Sequence, residues 1–341
     1  MCHQRRQVPS DSVPPGPSGP VSRRARAAAV AAACTVRPLT AVIPSGGRGI
    51  ALSRWIVARA LARYGPAVPG TRVQPVDGPV PGEWVRPPGP VRDDAAILYL
   101  HGSAYMLASA RTHRGLTSRL AVMTGLPVFA VDYRLAPEHR FPAAADDVRA
   151  AFDWLTGQGY GPGRIAVAGD SAGGHLAVDL ALQLCRDGRP GPAAMALLSP
   201  LCDLSLGLAR ERERTRRDPM IPAARAARLV RHYIRDADPA SPRLAFTVGS
   251  GDRLPPTLIQ AGGAEMLAAD AEHLAALLGA AGGRCELQIW PGQMHVFQAL
   301  PRLIPEAGLA LGRVASFLTA ELAPPTEALR PETAGTEAIP A

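Results

Sequence analysis

The sequence predicts an α/β protein with a mostly parallel central sheet and helices on both faces. Short apolar runs of strand length alternate with longer segments whose apolar residues recur every three or four positions. The run Ala96–Leu100 is apolar throughout, which is typical of a central strand buried on both faces. Hydrophobic residues make up 47% of the 341 residues, enough for one large core.

The elements follow in order along the chain. Two short helices are expected within 34–64, broken at 44–49, and a hairpin is expected at 71–74 and 82–85. Strands and helices then alternate, with strands at 96–100, 127–131, 165–168, 193–198, 256–260 and 285–290 and helices at 112–124, 142–156, 172–187, 266–280 and 303–321. The charged segment 205–235 interrupts this alternation and has helical patterning.

We expect one folded domain over residues 34–322, preceded by a disordered leader at 1–33 and followed by a disordered polar tail at 323–341. The segments 34–70 and 203–236 do not fit the strand–helix alternation. We therefore expect these two segments to form a helical cap over the carboxyl ends of the strands.

The alanine-rich stretch 23–34 has the charged start and small-residue run of a secretion signal. Alanine is only weakly hydrophobic, however, and Arg37 follows at once. The sequence leaves open a signal, an Ala-rich helix or a part of the disordered leader.

Composition and charge exclude several function classes. All 37 basic residues are arginine, and their clusters do not alternate with aromatic residues, so we expect no nucleic-acid binding. No apolar run reaches the length of a membrane span, so we expect no stable membrane insertion. The five cysteines are widely spaced and form no zinc pattern, which favours no metal site and a reducing, cytoplasmic location. Export and membrane association remain as alternatives.

The segment Gly169–Gly173 has the pattern Gly-x-Ser-x-Gly between a predicted strand and a predicted helix. In such a turn only small side chains fit two residues before and after Ser171, and the serine is exposed at the end of the sheet. The N–H groups of the following helix can then bind a developing anion. Because the chain has 34 glycines, an ordinary glycine-rich turn can give the same pattern.

A serine nucleophile needs a base and an acid that orients the base. His295 lies directly after the last predicted strand, at the sheet edge where Ser171 is expected, and a surface histidine is the alternative. Glu265 follows the penultimate strand and is the favoured acid, with Asp270 and Asp252 as the alternatives.

The oxyanion needs N–H donors. One is the backbone N–H of Ala172, and Ser103 and Ala104 are the other candidates, in the turn that follows strand 96–100. Gly102 and Tyr105, in the same turn, are candidate substrate-binding residues. An ordinary strand-to-helix turn is the alternative interpretation.

Four linked motifs resemble those of the hormone-sensitive-lipase branch of the α/β-hydrolase esterases and lipases, over about residues 35–320. They are His101-Gly-Ser-Ala-Tyr, the segment 132–144, Gly169-Asp-Ser-Ala-Gly-Gly, and Pro291 to His295. The resemblance implies an α/β-hydrolase fold with a helical cap and the hydrolysis of carboxylic esters without a cofactor. It also implies a covalent acyl-enzyme, with Ser171 as nucleophile, His295 as base and an acid at Glu265.

The chain departs from the family pattern at two places. His101-Gly-Ser-Ala stands where the family usually has His-Gly-Gly-Gly, and Glu265 stands where many members have Asp. The side chains of Ser103 and Ala104 leave less room, so we expect poor turnover of esters of tertiary alcohols.

The expected partner is a small-molecule ester with a short to medium acyl chain, because single aromatic residues suggest an apolar pocket (Trp55, Tyr64, Tyr105, Tyr233). The alternatives are an amidase or acyl-transfer enzyme with the same triad, and a non-catalytic ligand-binding protein of the same fold. The sequence leaves homodimer formation open.

Overall fold

The computed structural model describes residues 19–44 and 46–323 and has an eight-stranded sheet at its centre. The strands are β1 (Arg72–Val76), β2 (Gly82–Arg86), β3 (Ala96–Leu100), β4 (Val128–Val131), β5 (Ile165–Asp170), β6 (Ala194–Leu198), β7 (Thr257–Gly262) and β8 (Cys285–Trp290). Their order in the sheet is β1-β2-β4-β3-β5-β6-β7-β8. The pairs β1–β2 and β2–β4 are antiparallel and all other pairs are parallel, which confirms the predicted sheet.

Helices connect the parallel strands, and further helices lie before β1 and after β8. They are α1 (Arg23–Cys34), α2 (Val36–Val42), α3 (Gly47–Tyr64), α4 (Arg114–Thr124), α5 (Ala143–Gly157), α6 (Ala172–Arg186), α7 (Gly207–Thr215), α8 (Ala223–Ile234), α9 (Ala268–Ala280) and α10 (Glu306–Glu321). The predicted bounds of every strand agree with these within two residues. The pattern of short apolar runs and helical stripes was therefore sufficient to place the sheet.

Residues of β3 alternate between two hydrophobic layers. Leu98 and Leu100 pack into the layer that contains apolar residues of α5, α6 and α9. Ile97 and Tyr99 face the opposite layer, which contains residues of α4 and α10. All four side chains are fully buried, and each such apolar side chain contributes roughly 1.5–3 kcal/mol. The core therefore holds the sheet on both faces and fixes the strand ends, where the motifs lie.

Residues 23–34, for which the sequence leaves open a signal, an Ala-rich helix or a disordered leader, form the regular helix α1, so the expected disorder of residues 1–33 does not extend over this helix. The Ser22 hydroxyl oxygen accepts a hydrogen bond from the N–H of Ala25 and caps the helix. Ser22 also donates from its N–H and its hydroxyl to the carboxylate of Glu306, at 2.8 and 3.0 Å. Ala25 and Ala32 are buried against residues near α10. The alanines of α1 have little apolar surface of their own, and the helix is stabilised by its contacts with a distant part of the chain. Composition alone does not reveal such contacts.

The two segments expected to form the cap contact loops at the carboxyl ends of the strands. Arg54 of α3 donates to the carbonyl oxygen of Met106, in the loop after β3, at 2.8 Å. Arg212 of α7 donates to the carbonyl oxygen of Glu265, after β7, at 2.9 Å. The predicted disorder of residues 1–18 and 324–341 falls outside the described residues.

Candidate active site

Ser171 lies between the end of β5 and the start of α6, with φ 52° and ψ −117°. This positive φ is strained for a residue with a side chain. The neighbouring glycines are required by space: a Cβ on Gly173 would lie 1.9 Å from the carbonyl oxygen of Leu100, and one on Gly169 would lie 2.7 Å from Gly173. The close approach of β3 and α6 thus explains why the motif has glycine on both sides of the serine.

Glu265 and His295 are brought together at the same edge of the sheet. His295 follows β8, and its Nδ1 is hydrogen-bonded to Oε2 of Glu265. Glu265 is fully buried in the turn between β7 and α9, where its Oε1 accepts a hydrogen bond from the N–H of Gly262. A buried carboxylate that contacts Nδ1 fixes the orientation of the ring and leaves Nε2 free to accept a proton.

The electrostatic environment favours the charged form of His295. Burial opposes the imidazolium, but the adjacent Glu265 carboxylate outweighs burial and holds the pKa of His295 above its ordinary value. Asp218 and Asp170 act in the same direction. The ring is therefore a stronger base than a free histidine.

Asp270 and Asp252, the alternative acids, have other partners. Asp270 is fully buried and accepts hydrogen bonds from the N–H groups of Cys202 and Asp203, at 2.9 and 2.8 Å. Burial raises the pKa of Asp270 to about 7. Asp252 accepts a hydrogen bond from Gly249 in the loop before β7. The contact with His295 therefore favours Glu265 as the acid.

The turn after β3 has three consecutive non-glycine residues in the left-handed region, with φ values of 72° at Ser103, 55° at Ala104 and 62° at Tyr105. Among the described residues, the N–H groups of Ser103 and Ala104 have no acceptor. Ala172 is the first residue of α6, so its N–H has no intrahelical acceptor. Three donors are thus available in the two turns that the sequence singled out.

Asp170 connects the two turns. Its Oδ1 accepts hydrogen bonds from the N–H of Gly102 at 3.1 Å and from the hydroxyl of Tyr99 at 2.7 Å. Although burial opposes ionisation, His113 and the hydrogen bond from Tyr99 hold the pKa of Asp170 below its ordinary value. The N–H of Gly102 is therefore committed to Asp170, and the substrate-binding role of Gly102 stays a prediction.

Tyr105 and Tyr233 form a buried aromatic stack between the turn after β3 and α8. Their ring centroids are 4.0 Å apart with an interplanar angle of 12°, and the edge of His175 meets Tyr105. Both tyrosine hydroxyls lack a hydrogen-bond partner within the described chain. The substrate-binding role of Tyr105 stays a prediction, and the observed role is to pack the turn against α8.

Trp55 and Tyr64 are two of the aromatic residues for which the sequence suggests an apolar pocket, and neither is buried in the structure. Trp55 is 58% exposed and Tyr64 is 36% exposed, both on α3. Helical spacing alone did not reveal which face of α3 packs against the protein.

Ser199 is a site residue that the sequence reasoning missed. Its hydroxyl donates to Oε1 of Glu265 at 2.7 Å and accepts a hydrogen bond from the N–H of Val296 at 3.1 Å. It thereby connects the acid to the loop that carries His295. Its position directly after β6 was the available signal, since residues that follow parallel strands meet at one sheet edge.

Ser171 and His295 lie at the same edge, but no hydrogen bond joins them within residues 19–44 and 46–323. Catalytic hydrogen bonds are often long before substrate binds.

Within residues 19–44 and 46–323, no group of three His, Cys, Asp or Glu side chains could hold a metal ion, and the four cysteines are unpaired. No described helix is long and apolar enough to cross a membrane.

The comparisons with known proteins agree on one protein family. Residues 97–299 match the family model described as alpha/beta hydrolase fold. The carboxylesterase/phospholipase LipF of Mycobacterium tuberculosis is 36% identical over 320 residues, which cover 88% of this chain and 82% of LipF. An acetyl-hydrolase of Streptomyces hygroscopicus is 40% identical, over 69% of this chain and 78% of the relative.

Solved structures agree with this comparison. The crystal structure of an esterase from the bacterial hormone-sensitive lipase family superimposes with a TM-score of 0.80 at 33% identity. The match covers 88% of this chain and 99% of that esterase. The similarity therefore extends over most of this chain and nearly all of that esterase.

Proposed function

The chain belongs to the hormone-sensitive-lipase-like branch of the α/β-hydrolase family, and on that premise we propose that Ser171, His295 and Glu265 form its catalytic triad. The chain is a serine hydrolase of the esterase and lipase type, as its named relatives are. One observation carries the triad assignment: the buried Glu265 is hydrogen-bonded to His295 at the sheet edge where Ser171 precedes the first residue of α6.

In the proposed mechanism, Nε2 of His295 takes the proton of the Ser171 hydroxyl as its oxygen attacks the ester carbonyl carbon. The N–H groups of Ser103, Ala104 and Ala172 bind the carbonyl oxygen as it becomes an oxyanion. The tetrahedral intermediate collapses to an acyl-enzyme, and the leaving alcohol receives the proton from His295. Water, deprotonated by His295, then releases the acid and restores Ser171.

We also propose that the substrates are esters with short to medium acyl chains. The aromatic stack of Tyr105 and Tyr233, with the Phe141 ring perpendicular to Tyr233, fills space beside the turn after β3. An acetyl-hydrolase among the relatives supports a short acyl group.

The test is the hydrolysis of p-nitrophenyl butyrate by the wild type, Ser171→Ala and the control Ser53→Ala on α3. Loss of the nucleophile should lower kcat by roughly 10⁴-fold or more, while the control keeps its activity. Equal activity of the wild type and Ser171→Ala would overturn the proposal and leave a ligand-binding protein as the better reading.

A series of p-nitrophenyl esters of increasing acyl length tests the substrate class, with the highest kcat/KM expected from acetate to hexanoate. Hydrolysis of p-nitroanilides without hydrolysis of esters would instead indicate an amidase.

A further inference from the structure

Helix α3 has an exposed face that combines apolar and basic side chains. Leu52 is 47% exposed and Trp55 is 58% exposed. Arg48, Arg59 and Arg63 are also exposed and fall on the same side of the helix, at i, i+4 and i+3 spacings from these two residues. The guanidinium of Arg59 lies 5.3 Å from the centre of the Trp55 ring.

The opposite face of α3 packs against the rest of the protein, so the face with Leu52 and Trp55 points to solvent. Arg54 donates to the carbonyl oxygens of Met106 and Ala136 and pairs with Glu138 at 2.8 Å. Ile50 is buried in the core. The inward arginine is thus paired, whereas Arg48, Arg59 and Arg63 have no carboxylate partner in the part of the chain that the structure describes.

Charge along the chain is concentrated around this helix. Residues 12–76 contain nine arginines and no Asp, Glu or Lys. This segment alone carries a formal charge of +9, whereas the whole chain carries +8. Eight of these nine arginines lie on helices α1 to α3 and the ninth, Arg72, begins β1, whereas the rest of the chain is close to neutral.

We propose that the exposed face of α3 docks on the surface of a bilayer that contains anionic phospholipids. A helix that presents Trp and Leu beside arginines is suited to the interface between headgroups and acyl chains, where it lies flat without crossing the membrane. A second copy of the chain fits this face less well, because an isologous dimer would bring the same unpaired arginines together. The proposal goes beyond ester hydrolysis and does not depend on the triad.

The experiment is co-sedimentation of the full chain with vesicles of phosphatidylcholine alone or of phosphatidylcholine mixed with phosphatidylglycerol. We expect binding to the anionic vesicles only, and weaker binding at high salt. Replacement of Arg48, Arg59 and Arg63 by Gln should weaken binding roughly 100-fold, about fivefold for each arginine. Trp55→Ala should weaken binding roughly tenfold.

A matched control removes the same charge elsewhere, with Arg189, Arg253 and Arg284 replaced by Gln. These exposed residues lie near the amino ends of the strands, away from α3, and the control should bind vesicles as the wild type does. All variants should hydrolyse p-nitrophenyl butyrate in vesicle-free buffer at the wild-type rate, so failure of docking is distinguishable from failure of the proposed triad.

Three results would overturn the proposal. They are equal binding to both vesicle types, equal loss in the two triple variants, and binding to a DNA duplex without binding to anionic vesicles. A dimer that Trp55→Ala dissociates, in a protein that does not bind vesicles, would likewise contradict it and identify a second copy as the occupant of this face.

Discussion

The turn at Ser171 and the turn at Ser103–Tyr105 both hold residues with side chains at positive φ, but different contacts stabilise them. At Ser171 the neighbouring backbone leaves no room for a Cβ on Gly169 or Gly173. Glu265 and His295, the proposed partners of Ser171, are held by hydrogen bonds at the strand ends. We refer to Ser171, Glu265 and His295 as the strand-end cluster.

The turn at Ser103–Tyr105 has hydrogen bonds at its two ends, from the N–H of Gly102 to Asp170 and from the N–H of Ala136 to the carbonyl oxygen of Tyr105, and it also packs against a distant helix. Three consecutive left-handed residues cost roughly 1–2 kcal/mol each, and no glycine relieves that cost. The buried stack of Tyr105 on Tyr233 joins this turn to α8. The comparison shows that a strained turn can be maintained by local steric fit or by a contact with a distant helix, and the two respond differently to mutation.

The largest effect is expected from Glu265→Gln in the strand-end cluster, which should lower kcat by roughly 10⁴-fold because the His295 ring loses its charged partner. His295 must be neutral to act as a base, and Glu265 raises its pKa. The acidic limb of the residual kcat/KM should therefore move to lower pH. Measurement of kcat/KM against pH checks both effects.

Asp270→Asn is the matched control for that change, since Asp270 is a second buried carboxyl close to Glu265. Its activity should stay within about fivefold of wild type and its acidic limb should not move. A shift of the limb in Asp270→Asn, with none in Glu265→Gln, would identify Asp270 as the acid.

Gly173→Ala tests the steric basis of the first turn. A Cβ at 1.9 Å from the Leu100 carbonyl oxygen cannot be accommodated by a side-chain movement, so we expect a loss of about 3 kcal/mol or more in unfolding free energy and at least 100-fold in kcat. Gly312→Ala in α10, where a Cβ has no neighbour within 4 Å, should instead stabilise the protein by up to about 1 kcal/mol. Denaturant unfolding of both variants measures the contrast, and equal stability would refute the steric account.

Tyr233→Ala tests the packing basis of the second turn. Removal of the ring should lower kcat roughly 10- to 100-fold with little change in KM, because the turn that carries the proposed oxyanion donors Ser103 and Ala104 loses its support. Tyr233→Phe should retain wild-type kcat, since the hydroxyl has no partner in the described residues. Phe317→Ala, a buried aromatic residue on α10, should lower stability and leave kcat unchanged. A wild-type kcat in Tyr233→Ala would show that the turn does not depend on its packing against α8.

The smallest effect is expected from Ser103→Gly combined with Ala104→Gly. Removal of both side chains leaves more room for bulky alcohols, so the rate with tert-butyl acetate should rise roughly tenfold relative to ethyl acetate. The rate with ethyl acetate itself should change by less than about threefold, since the donors are backbone groups. Comparable rates of the wild type with the two esters would show that the side chains do not restrict the site.

Local patterns predicted the sheet and the contact of Glu265 with His295, because both depend on residues close in sequence or on the shared edge of parallel strands. Ser171, Glu265 and His295 each follow a strand that its apolar run defines. Non-local contacts were not predictable in this way. Two examples are the aromatic stack of Tyr105 on Tyr233 and the hydrogen bond from Ser22 to Glu306. Both join residues that are far apart in sequence.

The most direct test of the central claim is covalent labelling with an organophosphate ester such as paraoxon, followed by peptide mass mapping. The phosphorus should form a bond to the Ser171 oxygen and release p-nitrophenol. We predict one phosphoryl adduct, on the peptide that contains Ser171, and no adduct in Ser171→Ala. An adduct on another residue, or equal labelling of Ser171→Ala, would contradict the assignment of Ser171 as the nucleophile.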